Sequence, residues 1–223
     1  MKNVTLIIPA KNESEALPVV LSKLRKFKFK IMVVLHKSDV ETIDSIKKFK
    51  VKILYQNAHG YGDALIKGIK NCKTELFCIF NADGSFKATE ISKMKKLLQT
   101  KKLDFVFGSR YQKNARSHDD TIITLVGNFL FTKFGQIFFG LPITDILYTF
   151  VLGKTKKAKK LNLIEKNFAF CTELPIKAVK KNMSIGSSSA EEFKRIAGEK
   201  KVNEFKDGLK ILYSMIKLLF KNA

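Results

Sequence analysis

The chain has 223 residues, 45% of them hydrophobic, which is enough for a full core in one large domain and excludes a disordered chain. Its 42 Lys and Arg against 20 Asp and Glu give a formal net charge of +22, so it is drawn to polyanions such as nucleic acid, anionic lipid or nucleotide phosphates. Cys72, Cys78 and Cys171 are odd in number and unclustered, which excludes a disulfide framework and a cysteine metal site.

Residues 4–8 form a β-branched apolar run stopped by Pro9, the pattern of a central strand feeding a loop. This run is too short for a signal peptide, and no uninterrupted apolar run reaches the ~18 residues of a spanning helix. Ser14 is placed to cap a helix over 15–26, with Leu17, Val20, Leu21 and Leu24 on one face. A second strand is expected over 31–35. A helix capped by Ser38 or Asp39 then runs to 49, with Val40, Ile43 and Ile46 inward. A strand over 51–55, a glycine-opened helix over 60–71, a strand over 76–80, a helix over 88–100 and a strand over 105–108 complete the alternation. Such alternation predicts an α/β fold, a mostly parallel sheet covered on both faces.

The pattern changes after Arg110. Residues 116–120 read as a polar loop. Residues 122–153 carry only Lys133 and Asp145 as charges, are rich in Phe, and are broken by Gly135, Gly140 and Pro142. They are expected to form an interfacial or partner-buried pair of helices rather than one spanning helix, or else an ordinary core pair. A basic helix face over 154–160, an apolar helix over 168–181 containing Glu173, and a loop or edge strand over 185–189 follow. Residues 191–201 are charged and expected to be mobile. The tail, 205–223, sets Leu209, Leu212, Tyr213, Ile216 and Leu219 or Phe220 against Lys206, Lys210, Lys217 and Lys221. This basic amphipathic helix suits an anionic membrane surface, or packs on the domain with its lysines outward. The expected division is a catalytic domain over 1–204 and a C-terminal helix over 205–223.

The chemistry concentrates where the buried run 76–80 ends in Asn81-Ala82-Asp83-Gly84-Ser85. A carboxylate at the end of a buried strand in a βα repeat faces the ligand crevice of an open sheet. There it can hold a hard divalent cation through oxygen, and the cation can hold a diphosphate. Arg is scarce, at positions 25, 110, 116 and 195 only. Arg110 and Arg195 therefore stand out as planar forks suited to phosphate.

In order along the chain, these stretches resemble the inverting family 2 glycosyltransferases of GT-A fold, most of all the dolichol-phosphate mannosyltransferase-like branch. Ile8-Pro9-Ala10-Lys11-Asn12-Glu13 is similar to the family's opening motif, and Gly60-Tyr61-Gly62 with Ala64 and Gly68 to its glycine-opened helix. Asn81-Ala82-Asp83 lies where the family has Asp-x-Asp, and Gly108-Ser109-Arg110-Tyr111 matches its Gly-Ser-Arg-Tyr. Asn128, Asp145 with Phe150, Phe170 with Glu173, and Arg195 with Gly198 and Lys201 resemble later motifs.

The resemblance implies a sugar transferase using a UDP- or GDP-linked donor. The acceptor is a lipid phosphate such as polyprenyl phosphate, or a glycan precursor of the cell envelope. Mg²⁺ or Mn²⁺ is held by Asp83, with Asn81 and Ser85 as helpers. Pro9, Glu13, Asp39 and Gly62 face the donor, Glu13 on the nucleoside side, and Arg110 holds phosphate. Arg195 and Lys201 close over the diphosphate. Asp145 is the base if the acceptor is a hydroxyl. The enzyme is expected in the cytoplasm, peripherally on the cytoplasmic face of a membrane, with no nucleic-acid partner and no oligomeric state implied.

The chain departs from the family pattern at several places. Asn81 replaces an acid, His36-Lys37-Ser38-Asp39 replaces an acidic strand end, and Leu125 stands near an expected arginine. Ser187-Ser188-Ser189 replaces a late Glu-Val-Pro. A degenerate member that binds nucleotide or lipid without turnover is the alternative. A basic nucleic-acid-binding protein is the reading from another class, but the chain lacks finger spacing, an RNA-binding aromatic motif and a helix-turn-helix pattern.

Overall fold

The structure is a computed structural model and describes residues 3–220. The first half alternates as expected: β1 (Val4–Pro9), α1 (Ala16–Leu24), β2 (Lys30–Leu35), α2 (Val40–Ile46), β3 (Lys52–Tyr55), α3 (Tyr61–Asn71), β4 (Leu76–Ile79), α4 (Glu90–Thr100) and β5 (Phe105–Ser109). Asp39, not Ser38, caps α2, accepting from the Thr42 N–H. Ser14 does not cap α1, whose N-cap is Glu15 with no side-chain bond. Val40, expected inward, is 57% exposed because α2 presents only Thr42 and Ile46 fully to the core.

The second half is α5 (Ile122–Phe139), β6 (Val151–Lys154), α6 (Thr155–Lys159), α7 (Phe170–Lys180), β7 (Ile185–Ser189) and α8 (Glu204–Phe220). The expected helix pair over 122–153 is thus one helix followed by a strand. A capping box between Thr121 and Thr124 starts α5, and Gly140 in the left-handed region (φ 64) ends it, with Pro142 just beyond. Lys221, which the sequence places on the basic edge of the tail, lies outside the described residues.

The seven strands run β3-β2-β1-β4-β6-β5-β7. All pairings are parallel except those of β6, which lies antiparallel between β4 and β5. Alternate residues feed two cores, as the two-residue strand period requires. Ile7, Phe77, Ile79 and Phe105 face α3, α7 and α8. Leu6, Ile8, Cys78 and Val106 face α1 and α4. The tail helix belongs to this packing, since Ile211, Met215 and Leu218 join the first core. Residues 191–201, expected to be mobile, lie in an irregular strap over 190–203 that returns across the carboxyl ends of the strands, bridging Ser117 to Glu192.

Candidate active site

The strand order reverses at β1, which pairs with β2 on one side and β4 on the other. In an open α/β sheet the crevice outside such a switch point receives ligands. Loops after β1, β2, β3, β4 and β5 open there into one cavity of about 490 Å³, which the strap partly covers.

Asp83 lies at the centre. Its Oδ1 accepts from the Ser85 N–H (3.0 Å) and Oγ (2.7 Å), and its Oδ2 from Arg195 Nη2 (2.8 Å). Asn81 donates its amide N–H to Ser85 Oγ (3.2 Å). Ser85 is buried and off the cavity wall, so it orients Asp83 and Asn81 rather than facing a metal. The strap is held here by main-chain bonds, Ile196 N–H to Asp83 O (2.8 Å) and Phe193 N–H to Ser85 O (3.0 Å). Gly84 has φ +84, and a Cβ there would lie 2.4 Å from Ile196 Cδ1, so the turn is shaped to seat the strap.

Three buried polar atoms at this point have no partner: Glu13 Oε2, Arg195 Nε and Arg195 Nη1. Buried groups are normally satisfied, and exceptions call for a ligand. Burial, and then the neighbouring charge of Asp83, push the Glu13 carboxyl up to about 7, while Lys201 and Arg195 pull the other way. Asp39 ties the β1 loop to α2, its Oδ2 accepting from the Asn12 N–H (2.8 Å). Asp39, His36 and His59 line the far end of the cavity, and the two imidazoles lie 3.9 Å apart.

Arg110 sits on the other side. It donates from Nε (2.8 Å) and Nη2 (3.0 Å) to Asp145, and from Nη1 to Asp120 (3.1 Å) and Glu192 (3.0 Å). The Arg110 N–H also reaches Asp145 Oδ2 (3.1 Å). Two expectations change. Arg110 is engaged by three carboxylates instead of presenting a free fork to phosphate. Asp145 is fully buried beneath the wall with both oxygens held, so it braces Arg110 rather than meeting an acceptor. Of the three carboxylates around Arg110, the two that line the cavity are Asp120 and Glu192, which the sequence reading missed. Burial raises the Glu192 carboxyl, partly offset by Arg110. Their only sequence signal is a position in two charged stretches, because the pairing with Arg110 spans 10 residues to Asp120 and 82 to Glu192.

Pro9, Glu13, Asp39, Asn81, Asp83, Arg110, Arg195 and Lys201 therefore share one cavity wall. Gly62 does not. A Cβ there would lie 2.1 Å from the Glu165 carbonyl oxygen, so this glycine packs α3 against the 165–170 segment instead of cradling a phosphate.

No cluster of three or more His, Cys, Asp and Glu stands ready for a metal among the described residues. Asp83 with the Asn81 amide fits a cation that takes one or two protein oxygens and completes its shell from phosphates and water, as Mg²⁺ does.

The chain is 30% identical to an uncharacterized glycosyltransferase of Mycobacterium tuberculosis over 107 residues, 48% of each protein. It is 26% identical to an uncharacterized protein of Methanocaldococcus jannaschii over 145 residues, 63% of this chain and 60% of that one. The chain thus spans about half the length of the curated relatives it matches. Glucosyl-3-phosphoglycerate synthase from M. tuberculosis in complex with UDP superposes with a TM-score of 0.74 at 11% identity, covering 97% of this chain and 79% of that one. Mannosyl-3-phosphoglycerate synthase from Rubrobacter xylanophilus gives 0.71 at 15% identity, over 97% and 72%. At such identities the likeness is one of fold, and nothing in it singles out the dolichol-phosphate mannosyltransferase-like branch. The family described as glycosyl transferase family 2 matches residues 5–161. That match covers most of the chain and carries six of the seven strands, Asp83 and Arg110, and the chain belongs to glycosyl transferase family 2.

Proposed function

We propose that the cavity binds a nucleotide-diphospho-sugar and transfers its sugar to an acceptor, with inversion. The observation that carries this is the meeting of Asp83, Arg195 and Glu13 at the switch point, with unpartnered buried N–H and carboxylate atoms on residues that line one cavity. A divalent cation held by Asp83 and the Asn81 oxygen would supply charge neutralisation for the leaving diphosphate. The chain's own part is mostly electrostatic. Arg195 Nε and Nη1 and Lys201 hold phosphate oxygens, once Arg195 exchanges Asp83 for the donor. Glu13 and Asp39 set the nucleoside end.

In a single displacement the acceptor oxygen bonds to the anomeric carbon as the bond to the diphosphate breaks, and the electron pair leaves with the diphosphate. A hydroxyl acceptor gives its proton to a wall carboxylate, Glu192 or Asp120. A phosphate acceptor is already an anion and needs no base. The solved neighbours named above are glucosyl- and mannosyl-3-phosphoglycerate synthases, which favours a small phosphorylated acceptor over polyprenyl phosphate.

Calorimetric titration of UDP- and GDP-sugars, with and without Mn²⁺, tests the reading. Metal-dependent binding of one donor, lost in Asp83→Ala, is expected. Failure of every donor to bind overturns it. Binding without turnover would establish the degenerate alternative, which the amide at Asn81 favours.

A further inference from the structure

Fourteen of the twenty large apolar side chains that the described residues expose lie on just two helices, α5 and α8. Ile122, Phe129 and Ile137 are 81%, 59% and 72% exposed, and Phe205, Leu209 and Phe220 are 76%, 70% and 86% exposed. Apolar residues scattered singly over a surface are ordinary, whereas a concentration of this kind marks an interaction face.

The two helices form one surface. At their N-termini Thr121 Oγ1 donates to Glu204 Oε1 (3.2 Å). At their C-termini Lys180 of α7 bonds the Leu218 carbonyl of α8 and lies over the Phe139 ring of α5. They therefore run parallel, side by side. Both pack on α7, so the sides turned away from α7 face the same way.

Charge identifies the occupant. Lys206, Lys210 and Lys217 are exposed and, at helical spacing, follow one edge of the apolar stripe of α8. The acid inside that stretch, Asp207, is buried, and α5 contains none. A second copy would bring +22 against +22. An anionic lipid surface satisfies both the apolar stripe and the lysine edge.

α5 is long and apolar enough to cross a membrane, but it is keyed to the domain along one side. Asn128 Oδ1 accepts from the Leu147 N–H (3.1 Å) and Thr132 Oγ1 from the Ile146 N–H (3.2 Å). Those bonds fit a helix lying on a bilayer rather than through it.

We propose that the paired outer faces of α5 and α8 seat on an anionic lipid bilayer. Their apolar side chains enter the acyl–headgroup boundary, and Lys206, Lys210 and Lys217 meet the headgroups. Thr124 and Asn128 of α5 also line the cavity, so seating brings the cavity mouth to the lipid surface. The proposal is independent of the sugar-transfer reading.

Co-sedimentation with phosphatidylcholine vesicles, with and without phosphatidylglycerol, tests it. The chain is expected to pellet with the anionic vesicles and to be released by salt. Charge reversal at Lys206 and Lys217 together, and separately Phe129→Asp, should each weaken binding about tenfold or more. Both variants should keep the wild-type melting temperature, because all three side chains are exposed, and Lys210 is left in place because it pairs with the buried Asp207 (3.5 Å). Wild-type protein remaining in the supernatant overturns the proposal, as does undiminished binding by the folded variants. A dimer in sedimentation equilibrium that Phe129→Asp dissociates, without vesicle binding, overturns it in favour of a second copy.

Discussion

Arg195 Nη2 lies 2.8 Å from Asp83 Oδ2, so the carboxylate best placed to hold a cation is already neutralised by the strap. In the proposed sugar transfer, metal and donor displace this contact together. Arg195→Ala is therefore expected to act in opposite directions on two ligands. Mn²⁺ alone should bind more tightly, by roughly tenfold, equivalent to about 1.4 kcal/mol. The nucleotide should bind more weakly. Titrations of each ligand separately check this, and equal weakening of both would refute the exchange.

Asp145 is the principal counter-charge of a buried guanidinium. Asp145→Asn should destabilise the chain by about 3 kcal/mol, at the lower end for a broken buried pair because Asp120 and Glu192 remain. The shift in urea midpoint at constant m-value measures it.

Glu13 sets a pH dependence of definite sign. Its carboxyl is raised from the ordinary 4.5 to about 7, so the folded chain holds that proton more tightly than the unfolded one. The resulting stability is fully present below pH 4.5 and is lost as pH rises to about 7. Melting curves of the metal-free chain across that window should lose stability with rising pH. Glu13→Gln should flatten part of the slope. Asp104 contributes with opposite sign and at lower pH, because its carboxyl is held down by Lys154, Ser184 and Lys157 against the cost of burial.

Two glycines separate packing from propensity. Gly62→Ala sets a methyl against the carbonyls of Glu165 and Asn167 and should cost about 1–3 kcal/mol. At Gly127, inside α5, an added Cβ meets nothing within 4 Å. Gly127→Ala should stabilise the chain by up to about 1 kcal/mol. Chemical denaturation of both variants gives the two signs directly.

The five strands of the first half were legible because each is a short apolar run bounded by turn or charged residues, and β1, β4 and β5 bury both faces. β6 was not. Val151-Leu152-Gly153-Lys154 follows the Phe-rich stretch with no turn signal directly before it, and only its antiparallel register with Cys78 and Val106, far away in sequence, makes it a strand. The site divided in the same way. Asp83 and Glu13 follow apolar strands and announce themselves. The Arg110 cluster joins residues 35 and 82 positions apart, and no local pattern carries such a pairing. Gly62 fits a motif in sequence, yet its use is fixed by the backbone of residues 165–167.

That last contact has a mechanical consequence. The Glu165 side chain accepts from Ser214 Oγ of α8 (3.0 Å), while the Glu165 carbonyl presses on Gly62 at the head of α3. One residue along that helix, the Tyr61 hydroxyl grips Thr149 in the cavity wall (2.5 Å). The C-terminal helix and the cavity are thus joined like two ends of a lever with Glu165 as its pivot. A load applied to α8 is delivered to the cavity wall at Thr149.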